Sequence, residues 1–223
     1  MKKIMHFFHY PEVGTVLSPL PAHRFIPEWY KKSELTLSDG ETPGLRSCMP
    51  YFDAMASGWI IRLDQDLHIS VDEDGVKHFK WDEDSQVLHA RPLELGKYMV
   101  PPAGYSHEGI AIYLKVGYKT PRGWSLLVTH PFNRFDLPFM AVSGIMDADK
   151  WNTPGNIPVF FKSDFIGTIP KGTPIAQVLP IKRAEWTSTW HLNIRRIAKA
   201  LKQSRDNHKG NYRKNFWVKK SYK

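Results

Sequence analysis

Several groups of residues in this chain have the types and spacing to do chemistry. Asp147 and Asp149 flank Ala148 directly after an apolar segment ending at Met146, and Lys150 and Trp151 follow at once. Two carboxylates so placed are candidate catalytic groups, and they equally suit an ordinary charged turn. His130 ends the apolar run 124–130, where it is either a phosphate ligand or general base, or a solvated histidine at a strand end. Gln177, inside another apolar run, is a candidate ligand contact or a plain strand residue. His68, His78 and His89 invite a metal reading, but no His-x-His or His-Glu-x-x-His spacing supports one. No metal site is therefore expected. The single cysteine, Cys48, has no activating cluster beside it, and a buried structural thiol is expected.

A different chemistry is concentrated at the C-terminal end. The chain of 223 residues carries a net charge of +9, and residues 182–223 hold thirteen Lys or Arg against Glu185 and Asp206. That is +11 locally, which leaves −2 for residues 1–181. Arg195, Arg196, Lys199, Lys214, Lys219 and Lys220 are the candidate nucleic-acid contacts, because lysine and arginine neutralise phosphates while nearby aromatics stack on bases. The same aromatics would also serve to dock the tail on the body. The compact triplet Phe216-Trp217-Val218 favours docking.

The elements that must position these residues are mostly strands. Seventeen prolines and fifteen glycines suit a turn-rich β protein. Short apolar runs at 58–63, 66–72, 76–82, 86–90, 110–118, 124–130, 139–145, 157–162, 164–169 and 175–181 are separated by turn residues. Asp74-Gly75 marks a hairpin between the second and third runs. Runs 157–162 and 164–169 read as a pair around Ser163. The pattern implies a mainly β fold, a barrel, sandwich or clip of short strands at 58–186. Residues 1–57, with six prolines between 11 and 50, read as an irregular wrap that includes an apolar anchor at Phe25, Ile26, Trp29 and Tyr30. At 187–223, Thr187, Ser188 and Thr189 offer N-cap hydroxyls. Trp190, Ile194, Ile197 and Leu201 then recur at helical spacing, giving an amphipathic basic helix followed by a basic aromatic tail. No apolar run has the length of a membrane span, and one cysteine fits a reducing cytoplasm.

Three segments carry a family resemblance. Pro121-Arg122-Gly123 and the strand after it lead to Pro131-Phe132-Asn133; then come Gly144-Ile145-Met146-Asp147-Ala148-Asp149-Lys150 and Gly172-Thr173-Pro174-Ile175-Ala176-Gln177. In order and spacing they resemble the second, third and fourth motifs of the dUTPase and dCTP deaminase family, whose fold is the β-clip. The resemblance covers roughly 121–183. It implies that Asp147 is the carboxylate that orients the attacking water, and that Trp151 replaces the tyrosine that stacks on the sugar, Lys150 standing in that tyrosine's own place. It also implies a trimer, and Mg²⁺ brought in with a nucleotide substrate if hydrolysis persists. No other cofactor is expected.

The departures fall on the chemistry. Pro131 and Phe132 stand where the family has the Arg and Ser that hold phosphates, and no glycine-rich closing motif follows. Residues 150–169 contain no Glu to serve as a deaminase catalyst. The Pro-rich N-terminal segment and basic tail are also similar to phage and bacterial proteins without an assigned activity, which implies a phage-infected host cell. The expectation is a β-clip protein that binds a nucleotide, a nucleic acid or a partner without dUTPase activity. A hydrolase relying on Asp147, and an assembly protein built from a homo-oligomer, stand as alternatives.

Overall fold

Short runs of Ile, Val, Leu and Phe between Gly, Pro and Asp turns form antiparallel strands, as their length and composition demand. The structure, a computed structural model, describes residues 3–82, 86–91, 99–106, 109–192, 194–206 and 210–221. In chain order the strands are β1 (His6–His9), β2 (Leu20–Pro21), β3 (Trp59–Arg62), β4 (Leu67–Val71), β5 (Lys77–Trp81), β6 (Leu88–Ala90) and β7 (Tyr105–Ser106). After them come β8 (Ile110–Tyr113), β9 (Val116–Lys119), β10 (Trp124–Thr129), β11 (Phe139–Ala141), β12 (Gly144–Met146), β13 (Asn156–Lys162), β14 (Gly167–Ile169) and β15 (Pro174–Lys182). The helices are α1 (Glu28–Lys32), α2 (Met49–Ala56) and α3 (Ile194–Asp206). The protein is mainly β, as expected.

One sheet has the order β12-β10-β15-β3-β2, and a second has β11-β13-β8-β6 with β7 also on β13. Smaller sheets join β14-β4-β5 and β1-β9. Leu63, Leu67, Tyr118, Leu126, Phe139, Phe161 and Val178 belong to one continuous core, each at most 2% exposed. Burial of that apolar area is the main stabilising contribution. Gly58 shows why the chain needs a residue without a side chain there. Its φ is +73°, and a Cβ would lie 2.2 Å from the Val178 carbonyl oxygen, where the start of β3 meets β15.

A second, smaller core forms from Ile26, Tyr30, Met55 and Ala56, with Tyr51 and Phe52 packed against it. The expected anchor at Ile26 and Tyr30 is part of this cluster. The region is less irregular than its prolines suggest, since 49–56 is helical. Pro50 lies in the first turn of α2, where its missing N–H has no partner to lose.

Other expectations are corrected by register. The run 110–118 divides at Lys115, whose φ of 53° ends β8 before β9 begins. Lys115 is 2% exposed, and its Nζ lies 2.6 Å from Asp64 Oδ2, so the break serves a buried ion pair. The run 139–145 also divides: β11 pairs with β13, while β12 pairs with β10. Val142 and Ser143 carry the chain from one sheet to the other. The runs around Ser163 do not pair with each other, because β14 pairs with β4. The C-terminal helix begins at Ile194, later than the hydroxyls at 187–189 would place it. Cys48 is exposed rather than buried, at the N-cap of α2.

Candidate functional site

The candidate carboxylates sit where three strands end together. On β10, Leu126 faces Met146 of β12 on one side, and Trp124 faces Lys182 of β15 on the other. Asp147, one residue past β12, and Arg183, one residue past β15, therefore converge on Ser125. Ser125 Oγ donates to Asp147 Oδ1 at 2.7 Å, and Arg183 Nη1 donates to the same oxygen at 3.0 Å. Arg183 also donates to Asp149 through both terminal nitrogens, at 2.9 Å from Nη1 to Oδ1. The Gly123 N–H completes the clasp with a 2.8 Å bond to Asp149 Oδ2. Bonding to Arg183, then to the Gly123 N–H, holds the Asp149 carboxyl down at about 2. The Ser125 hydroxyl and then the Arg183 charge lower that of Asp147. Both carboxylates are thus fixed as anions and are weak proton acceptors at neutral pH, while the only guanidinium in the clasp is shared between them.

The turn after Asp147 is closed by its carbonyl, which accepts the N–H groups of Lys150 and Trp151, both at 2.9 Å. Lys150 is exposed and Trp151 is 62% exposed, so a cation and a free aromatic face stand beside the carboxylates.

Directly along β12 runs a groove of about 320 Å³. Its walls are the segments 142–146 and 155–158, and Leu114, Tyr118 and Val128 complete the lining. The lining is mostly apolar, and its polar side chains are Ser143, bonded to Thr129, and Tyr118 and Asn156. Tyr118 Oη and Asn156 Oδ1 are buried and have no hydrogen-bond partner among the described residues. Tyr118 is fully buried, and burial pushes its phenol well above the usual range, so it remains an O–H donor. An unpaired donor and an unpaired acceptor on the lining of one small groove are costly, at about 1–3 kcal/mol each.

His130 and Gln177 are engaged within the protein. His130 Nε2 donates to the Arg134 carbonyl at 3.0 Å, and Nδ1 accepts the Ala141 N–H at 3.2 Å. Burial lowers its pKa, which agrees with a neutral ring bonded at both nitrogens. Gln177 is 1% exposed. Its Oε1 accepts the Phe132 N–H at 2.9 Å, while Nε2 donates to the carbonyls of Ala54 (2.9 Å) and Ser57 (2.5 Å). It ties the 131–133 turn, α2 and β15 together. The structure brings Asp147, Asp149, Lys150 and Trp151 into one place and holds His130 and Gln177 apart from it. Ser125, Arg183, Tyr118 and Asn156 were not singled out by the sequence, since only strand register brings them to the site.

The basic residues divide in the same way. Arg195 and Lys199 are exposed on α3, while the side chain of Arg196 and the acidic residues 83–84 lie outside the described residues. The tail returns to the N-terminal lobe. Trp217 Nε1 donates to Asp53 Oδ2 at 2.9 Å, and Lys220 pairs with the same carboxylate and lies 5.7 Å from the Trp217 ring centroid. Only Trp217 of the apolar triplet docks, since Phe216 and Val218 are 61% and 74% exposed. Lys214 and Lys219 are exposed. The three histidines lie apart: His78 bonds Asp72 at 2.7 Å and His89 meets the Tyr113 ring edge-on. His68, Asp66 and Asp82 present atoms within 4.8 Å of one another, a set able to hold a cation.

No protein-family model matches the chain, and no curated protein matches it. Among solved structures it is similar to phage dUTPases. A mutant dUTPase of Staphylococcus bacteriophage 80alpha shares 10% identity, covering 86% of this chain and 97% of that one, with a TM-score of 0.42. A mutant dUTPase from phage phi11 of S. aureus shares 13% identity, covering 61% and 84%, with a TM-score of 0.34. These are similarities of fold at low identity. Among the described residues, no helix is long and apolar enough to cross a membrane.

Proposed function

We propose that this chain is a nucleotide-binding β-clip protein that does not hydrolyse its ligand. The observation that carries the reading is the apolar groove along β12, two of whose lining residues, Tyr118 and Asn156, each bury a polar atom with no partner among the described residues. A planar base offers an acceptor and a donor on one edge and fills an apolar slot with its faces. The exposed Trp151 ring and Lys150 ammonium stand on the turn that follows β12, suited to a sugar and a phosphate. Hydrolysis of a triphosphate requires several cations around the transferred group. Here Arg183 is held by two aspartates, and the 131–133 turn supplies neither Arg nor Ser.

Calorimetric titration with deoxynucleosides and their mono- and triphosphates tests the binding. Saturable binding that weakens about tenfold in Tyr118→Phe is expected, and no heat with any base overturns the reading. The hydrolase alternative, with Mg²⁺ arriving on the substrate phosphates, has its own test. Turnover of any deoxynucleoside triphosphate above that of an Asp147→Asn control would establish it.

A second role, assembly, has one observation in its favour. Trp186, Trp190, Leu192, Ile194, Ile197 and Leu201 are each at least 51% exposed along the C-terminal arm. An apolar stripe of this length is a contact surface in a soluble chain, and a homo-oligomer such as a trimer would cover it. Sedimentation showing only monomer at high concentration would remove this role.

A further inference from the structure

The tail does more than pack against the N-terminal lobe, because its return leaves a groove between the two. One cavity of about 580 Å³ is lined by Tyr30, Phe52 and Trp217, with Arg46 and Arg213 among its other walls. A second, of about 410 Å³, shares Leu35 and Arg213 with the first and adds Lys214. Each has the volume of a small-ligand site, and the shared residues make them one elongated depression.

Its chemistry is that of rings and cations. Tyr30 and Phe52 stack with centroids 6.4 Å apart and planes 25° from parallel, and Trp217 is fixed beside them through its bond to Asp53. Arg213 and Lys214 are exposed, and neither they nor Arg46 has a carboxylate partner among the described residues. Among the described residues, Arg46 hydrogen-bonds to one backbone carbonyl, that of Ser33, at 3.5 Å. Lys31 also lines the first cavity but is paired with Glu28, and Glu41 is the one acid lining the second. Three aromatic side chains in one cavity, followed by unpaired cations along the groove, match a polymer that alternates flat apolar faces with anions.

We infer that this groove binds single-stranded nucleic acid, with a base against Phe52 and Trp217 above the buried Tyr30 ring and the backbone along Arg46, Arg213 and Lys214. A duplex cannot present an unstacked base there, and a mononucleotide would fill only one of the two cavities. The inference is independent of the nucleotide groove along β12, since the two sites share no lining residue.

The test uses the full chain and a fluorescein-labelled oligothymidylate of about a dozen nucleotides, followed by anisotropy at several salt concentrations. The expected result is tighter binding of the single strand than of a duplex of equal length or of inorganic polyphosphate. Three neutralised phosphates contribute about −2 to the slope of log K against log salt, and the combined Arg46→Gln, Arg213→Gln and Lys214→Gln variant should flatten it by that amount. Trp217→Leu should weaken binding about tenfold. If that change releases the tail, Arg46→Gln, at an exposed position of the lobe, still reports on the groove. Equal affinity for duplex and single strand, with no response to Trp217→Leu or Arg46→Gln, would reduce the binding to diffuse attraction by the basic arm and overturn the proposal. Loss of oligonucleotide binding in Tyr118→Phe would move the site to β12 and overturn it as well.

Discussion

The turn that follows β12 and the groove that runs along it treat their polar groups in opposite ways. In the turn, Asp147 and Asp149 are held by Ser125, Arg183 and the Gly123 N–H, and the one guanidinium offsets half of their charge. On two residues that line the groove, a phenol and an amide oxygen are buried without partners among the described residues. Folded proteins satisfy nearly all buried polar atoms, so an exception has to be explained by what the site does. On the reading proposed above, the difference marks the groove as the place for a ligand. The carboxylates, which the family resemblance makes the catalytic centre, are engaged in hydrogen bonds that join the ends of three strands. The unsatisfied atoms are on residues that carry no motif.

That comparison predicts that closed networks cost stability when broken, whereas open ones do not. The largest effect belongs to the most enclosed pair. Lys115→Ala leaves Asp64 buried without its cation, and unfolding in urea should show a loss of about 3–5 kcal/mol. Gln177→Leu comes next. It deprives the Phe132 N–H and the carbonyls of Ala54 and Ser57 of their partner, and the same measurement should show a loss of about 2 kcal/mol or more. A neutral result at Gln177 would mean that α2 and the 131–133 turn are held by other contacts.

The clasp itself is read by pH. The Asp149 carboxyl is depressed to about 2 by Arg183 and the Gly123 N–H. A depressed carboxylate contributes stability above its unfolded pKa, and that contribution is lost as pH falls through the folded value. Melting curves should therefore fall between about pH 4 and pH 2, and Asp149→Asn should remove part of that decline while lowering the melting temperature at neutral pH. Asp149→Asn with an unchanged acid limb would show that the clasp contributes nothing to folding.

Much of this architecture was legible in the chain. The alternating runs and the Asp74-Gly75 turn give the β4–β5 hairpin, because side-chain period and turn chemistry are local, and the structure supplies its register. The Asp147 turn was also legible, through its motif. Partnership across the fold was not. Nothing local to Arg183 shows that its side chain, one residue past β15, reaches Ser125, and nothing local to Tyr118 shows that its hydroxyl has no partner among the described residues. Lys115 illustrates the same limit, since a strand-like sequence breaks there to reach Asp64, fifty-one positions away. The docked tail was half legible. Aromatic composition indicated burial, but only Trp217 reaches Asp53, because a π-helical turn at Tyr212–Phe216 sets which side chain points inward.

The smallest expected effect sharpens the comparison most. Tyr118→Phe removes one oxygen from a residue whose ring is fully buried and keeps the ring contacts with Phe7. Were the hydroxyl part of a closed network, its loss would destabilise the fold, as at Gln177. Because it has no partner among the described residues, its removal relieves an unmet desolvation cost, and the free protein should melt at the same temperature or slightly higher, by up to about 1 kcal/mol of added stability. The sign then reverses when ligand is present. A base that accepts the phenol O–H stabilises the native chain in proportion to its affinity, so saturating nucleotide should raise the melting temperature of the natural chain by more than that of the variant. Equal nucleotide-induced shifts in both proteins would show that the phenol does not face the ligand. A variant that melts lower than the natural chain without ligand would place Tyr118 Oη in a closed network and remove the contrast on which the groove reading rests.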